Sequence, residues 1–287
     1  MSKNDSRRVD SYLWICNKIE LWKPIDSAFL LINFGVIEIL QSYNLSILQW
    51  LAIGLAVFLL GISKSGIKGI GILIILILAF VFGEKTSTGI LLPMLIGADI
   101  LAVIYYNKHA QWKYIFRLLP WMIAGVLVGV WVGNDISEYL FKKLMAVIII
   151  VSVVLMFFNE KRKSNNMPNS KLFSSVTGFL AGFATMIGNL AGPIANIYFL
   201  AMRFPKNEFI GTAAWLFFII NVFKLPFHFF VWKTVTPETL VLNLTLLPVV
   251  CIGFFVGVRI VKLISNVNYR RFILIVTAIG GIIMLFR

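Results

Sequence analysis

The sequence predicts an all-α polytopic membrane protein, built as two inverted repeats that each hold a broken or re-entrant helical hairpin and three transmembrane helices. Three observations lead to that class: apolar residues gathered in long runs, basic residues gathered in short loops, and an internal duplication. Of the 287 residues, 60% are hydrophobic and 13% charged, with a mean hydropathy of +0.91. Soluble domains are about 45–50% apolar and about 25% charged. The runs at 51–62, 70–82, 120–132, 144–158 and 272–286 hold almost no charge. A soluble fold with so many apolar runs would have no polar face left. Some runs reach the ~20 residues that cross a hydrocarbon core and others fall short.

The net charge is +14. The basic residues sit mostly in short loops, so the charge reads as topology, and no basic stripe interleaved with aromatics marks a nucleic-acid partner. Cys16 and Cys251 form no CxxC pair, which argues against thiol-redox or metal chemistry. No GxxxxGK[ST] motif is present, and no cofactor is expected. The N-terminus, polar for many residues, does not read as a cleaved signal.

The duplication has an offset of 128. It pairs Pro120 with Pro248, Gly125 with Gly253, Gly129 with Gly257 and Lys142-Lys143 with Arg270-Arg271, and upstream Gly54 with Gly182 and Gly83 with Gly211. Read without gaps, it divides the chain into an N-terminal basic segment (1–44), repeat one (45–158), a polar linker expected to be cytoplasmic (159–171) and repeat two (172–287). Residues 25–40 supply either an extra crossing or a helix lying in the interface.

Each repeat opens with two short apolar stretches around a break, SKSGIKG at 63–69 and GNLAGP at 188–193. The short stretches either dip in and return or both span. Full-length stretches follow, in repeat one at 88–106, 113–132 and 139–158. Either way each repeat has an odd number of crossings, so the two lie antiparallel. Thirteen loop cations, among them Lys108, Arg117, Arg162 and Arg203, fall on one side against five on the other, which makes the first side cytoplasmic.

A helix interrupted in the membrane exposes unpaired N–H groups at its new start, and these with the helix dipole favour an anion. The first break adds Lys64, Ser65, Gly66 and Lys68. A cation near the bilayer centre costs at least ~2.5–3.5 kcal/mol, so it implies a partner or a function, unless the lysines snorkel to an interface. Ser65 either donates to an anion or caps the next helix. The second break offers Asn189, Gly192, Pro193 and Asn196, as donors and backbone openers or as a simple tight turn. Asp99, Asn221 and Lys224 interrupt apolar runs. Lys224 either forms an ion pair with Asp99 or attracts an anion while Asp99 tunes it or carries a proton, and both can hold at once. His228, one turn on, is a second proton candidate or a hydrogen-bonded interfacial histidine. Trp112, Trp121 and Trp232 read as belt residues at crossing ends, and the paired glycines at 125/129 and 253/257 as helix contacts.

The first break, GISKSGIKGIG, resembles the glycine-rich motif of the TauE/SafE sulfite exporter (TSUP) family. LLPMLIGADILAVIYYNKHAQWKYIFRLLP and GNLAGPIANIYFLAMRFPKNEFIGTAAWLFFIINVFKLPF are similar to its later segments. The first break has fewer consecutive glycines than many relatives, which leaves the substrate open. The resemblance runs from about residue 45 to the C-terminus. It implies transport of sulfur-containing anions, sulfite or an organosulfonate, with matching positions at Lys64, Ser65, Gly66, Asn189, Gly192, Pro193, Gly211, Thr212, Asn221 and Lys224. The expectation is a secondary transporter in the lipid bilayer of a bacterial inner membrane, exporting such an anion by alternating access, with an anion channel or a non-transporting partner subunit as alternatives. An intramembrane enzyme would need a deep cluster of His, Asp, Glu or Cys, and Asp99 with His228 is all the sequence offers.

Overall fold

The computed structural model describes residues 37–137, 139–141, 143–144, 147–148, 171–265 and 268–269. The expected segments at 25–40, 139–158, 159–171 and 272–286 lie wholly or mostly outside these residues. The chain divides into two units after Ser46, and the helices below all belong to the second.

Among the described residues the architecture is entirely helical. In chain order come α1 (Ile47–Lys64), α2 (Gly71–Phe82), α3 (Glu84–Tyr106), a 3-10 turn (Asn107–His109) and α4 (Trp112–Asn134). Then come α5 (Lys171–Gly188), α6 (Ala191–Ala201), α7 (Lys206–Pro226), a π turn (Phe227–Val231) and α8 (Pro237–Leu263). Six of these, α1, α3, α4, α5, α7 and α8, are long and apolar enough to cross a membrane, which makes the chain a multi-pass membrane protein. The short helices α2 and α6 have 12 and 11 residues.

Glycines set the closest helix pairs. A Cβ on Gly125 of α4 would collide with the Phe179 carbonyl of α5, and one on Gly253 of α8 with the Phe58 carbonyl of α1. Gly182 meets the Met122 carbonyl as Gly61 meets that of Val250. Gly129 lies on Met186 as Gly257 lies on Ser65. Such contacts let backbones approach where lipid offers no hydrophobic drive for helix association.

These equivalences correct the gapless register. The α4/α8 glycines keep the separation of 128, since 253 − 125 = 128. Their partners on α1 and α5 are separated by 182 − 61 = 121. In α3 and α7, Gly89 and Gly211 each pack on the segment that precedes the next long helix, Thr234 and Tyr106–Ala110, a separation of 211 − 89 = 122. By packing, Gly182 therefore matches Gly61 rather than Gly54, and Gly211 matches Gly89 rather than Gly83. In α1 and α5 the shift is seven residues, about two turns, which keeps the same face forward, so the wrong register still looks regular there.

Lysines close the ends of two long helices. Lys85 donates to the Asn134 carbonyl of α4 at 3.0 Å, and Lys206 donates to the Val261 and Ile264 carbonyls of α8 at 3.0 and 2.7 Å. The last carbonyls of a helix are short of donors, although Val261 also accepts from the Ile264 N–H at 3.2 Å, and a cation suits the negative end of the dipole. At the first break, Tyr106 and Tyr269 hydroxyls donate to the Ser65 and Gly66 carbonyls at 2.9 and 2.6 Å. The freed backbone is thus satisfied by protein.

Trp112 is 41% exposed at the start of α4, an end position that fits a belt residue. Trp121 is 47% exposed but lies midway along α4, away from either end. Trp232 does not fit either. It is buried beneath Gly133, with its indole N–H donating to the Val130 carbonyl at 3.2 Å.

Candidate functional site

Both short helices begin at one cavity. Gly71 and Ile72 at the start of α2 line it, together with Ala191, Gly192 and Pro193 at the start of α6. The first N–H groups of a helix have no intrahelical acceptor, and neither of these helices has a side-chain cap to supply one. The cavity holds about 80 Å³. At ~10–15 Å³ per water, that admits on the order of five waters, or one small oxyanion.

The helices stop at the cavity for local reasons. Past Lys64 the chain needs Gly66 at φ 128° and Gly69 at φ 101°, angles that only glycine adopts readily. Past Gly188 it is Asn189, at φ 56°, that turns left-handed, which Asn tolerates better than most residues.

Lys64 and Lys68 both line the cavity and are 8% and 6% exposed, so they are not snorkelling to water. Their ammonium groups share the face of Phe217, at 5.3 and 5.7 Å from its centroid. Lys64 also forms an ion pair with Asp99 at 2.5 Å. The other Asp99 oxygen accepts from Asn221 Nδ2 at 2.7 Å. Lys68 makes no hydrogen bond from its ammonium among the described residues.

Lys224 sits one layer behind. It is fully buried and donates to Thr185 O at 2.9 Å, Thr185 Oγ1 at 3.0 Å and Asn189 Oδ1 at 2.6 Å. The expected Asp99–Lys224 pair is not formed: Lys64 takes the carboxylate, and Lys224 has neutral partners instead. Asn189 is held from its other end, where Nδ2 donates to the Thr88 carbonyl at 3.0 Å.

Of the residues singled out from the sequence, Lys64, Lys68, Asn189, Gly192, Pro193, Asn196 and Asn221 line the cavity. Lys224 and Asp99 touch lining residues without lining it. Ser65 is buried under Gly257 and donates to the Ile62 carbonyl at 2.7 Å, and Gly66 serves the turn. His228 lies apart in the π turn, fully buried, with Nδ1 paired to Thr234 Oγ1 at 2.8 Å and its ring 5.0 Å from that of Trp232.

Sequence reasoning missed Thr185 and Phe217. In the packing register Thr185 is the counterpart of Lys64, since 185 − 64 = 121, so a correctly aligned duplication would have found it. Phe217 is one of 25 phenylalanines, and no pattern distinguishes it.

A search of curated proteins found no match. The family described as Sulfite exporter TauE/SafE matches residues 53–284, a span that includes both breaks, every helix from α2 to α8 and the whole cavity lining. The chain belongs to the TauE/SafE sulfite exporter family.

Proposed function

We propose that the protein is a secondary transporter that exports a small sulfur-containing anion, sulfite or an organosulfonate, across a bacterial inner membrane by alternating access. The observation that carries this reading is the meeting of Lys64, Lys68 and two uncapped helix starts at one cavity of oxyanion size. Lys68 and the first-turn N–H groups of α2 and α6 hold the anion. Lys64 is shared between the anion and Asp99, and Asn189 and Asn221 orient it. In this reading the two halves lie antiparallel, and the reciprocal glycine contacts of α1 with α8 and α5 with α4 support a two-fold relation between them. An inside-negative potential favours exit of an anion.

The test is efflux from proteoliposomes loaded with radiolabelled sulfite. The expected result is saturable efflux with counterflow, lost in Lys64→Met and Lys68→Met variants that reconstitute normally. Efflux unchanged by both substitutions, or no efflux of any sulfur anion, overturns the reading.

A further inference from the structure

Lys224 is surrounded differently from the other buried charges. Lys64 has Asp99, and Asp99 has Lys64 and Asn221. Among the described residues Lys224 has only the Thr185 carbonyl, the Thr185 hydroxyl and the Asn189 amide oxygen as hydrogen-bond partners. An ammonium buried among neutral groups carries a desolvation cost that no directly paired counter-charge offsets.

The same three partners also suit a neutral amine. A charged Lys224 donates three hydrogen bonds, one to each oxygen. A neutral Lys224 donates two, to Thr185 O and Asn189 Oδ1, and accepts the third from the Thr185 hydroxyl, which can reverse its direction. The proton can leave without stranding a polar group in the core. Asp99 has no such freedom, because both its oxygens are committed to donors.

Among the described residues two charges bear on Lys224: Lys64 on α1 repels it and Asp99 on α3 attracts it, while the titratable His228 lies one turn further along. The helix that supplies its partners, α5, presents Thr185 and no charge there. The 3-10 turn and the start of α4, with His109 and Lys113, pack at the opposite end of α7, where Gly211 meets His109 and Trp215 meets Trp112.

Thr185 and Asn189 line the cavity on their other side, so Lys224 stands one residue from whatever occupies it. An anion there supplies the missing counter-charge. We infer that Lys224 is the proton carrier of this transporter: it takes up one proton from water when an anion enters the cavity and gives it back when the anion leaves. Anion and proton then move in the same direction. By linkage, the proton strengthens anion binding by the factor that the anion strengthens proton binding. With a dianion the loaded site still moves one net negative charge, so the inside-negative potential continues to favour exit. This inference rests on the cavity being the anion site.

The experiment is proton uptake by purified protein in weak buffer between pH 6 and 9, on adding thiosulfate, sulfate or methanesulfonate. These are strong-acid anions whose own charge is constant over that range, and binding is read in parallel by calorimetry. The expected result is uptake of about one proton per bound anion, with affinity falling up to about tenfold per pH unit at the alkaline end. Lys224→Met should bind with a flat pH profile and no uptake. Thr185→Val keeps the lysine but removes the reversible hydroxyl, and should move the profile to lower pH by half a unit or more. A merely structural role for Thr185 leaves the profile in place. Anion binding without proton uptake overturns this inference and leaves the transport reading standing. Uptake that persists in Lys224→Met assigns the proton to another group and overturns it too. Binding of none of the three anions overturns both.

Discussion

The two breaks occupy equivalent places in the packing and are built from opposite chemistry. In the register of α1 and α5, Lys64 matches Thr185 and Lys68 matches Asn189, each 121 apart. In the register of α3 and α7, Asp99 matches Asn221, 122 apart. The three ionic groups of the first half nearest the cavity, Lys64, Lys68 and Asp99, thus fall opposite neutral polar residues, while Lys224 of the second half falls opposite Ala102. The glycine contacts repeat while the charge beside the cavity does not.

The largest effect expected from disturbing this arrangement is on the first half. Asp99→Asn leaves Lys64 buried with no counter-charge and should destabilise the protein by about 3–5 kcal/mol. The matching change in the second half, Asn221→Leu, removes one neutral donor from Asp99 and leaves the Lys64 pair in place, so it should cost only about 1–3 kcal/mol. Thermal melting in detergent separates the two. A Lys64→Met/Asp99→Leu double variant should recover most of the stability while still failing to transport, which would divide scaffold from function.

Next in size is the glycine packing. Gly182→Val forces a side chain against the Met122 carbonyl and should cost about 1–3 kcal/mol or more, and Gly61→Val should cost a similar amount against Val250. Gly54 has open space around its Cβ position, so Gly54→Ala should be nearly silent. Equal melting losses at Gly54 and Gly182 would break the register of 121.

Moving the charge is a sharper test. Lys68→Asn makes the first break resemble the second and should weaken anion binding tenfold or more, about 1.4 kcal/mol. Adding Asn189→Lys on that background returns a cation to the cavity from the other half and should restore part of the loss, as read by calorimetry. The smallest effect expected is at Phe217. Phe217→Leu removes the ring that both ammonium groups share, and a few-fold change in anion affinity should follow.

Much of this molecule was readable from its residues. The apolar runs gave α3 and α4 to within a few residues, because a crossing leaves few other options for twenty apolar positions. SKSGIKG and GNLAGP located both breaks, since glycine and Asn at left-handed angles end helices by steric necessity. Pairing was harder to see. Asp99 was expected opposite Lys224 because the gapless register set their helices at matching depth, and the true offset of 122 instead puts Asp99 opposite Asn221. The breakage of register falls in the π turn and the residues after it, where repeat two carries extra chain before α8. In α1 and α5 the shift of seven preserves the helix face and leaves no trace in the apolar pattern. Thr185 and Phe217 carry no charge and break no run, so only the folded packing identifies them.

The most direct test is a thermal-shift panel of sulfite, thiosulfate, sulfate, taurine, sulfoacetate and carboxylate analogues on purified wild-type protein and Lys68→Met. Ligand at a hundredfold its dissociation constant stabilises the folded state by about 2.7 kcal/mol. The account predicts that at least one sulfur oxyanion raises the melting temperature of the wild type and raises that of Lys68→Met by no more than about half as much. A shift of equal size in both proteins would place the anion elsewhere and contradict it.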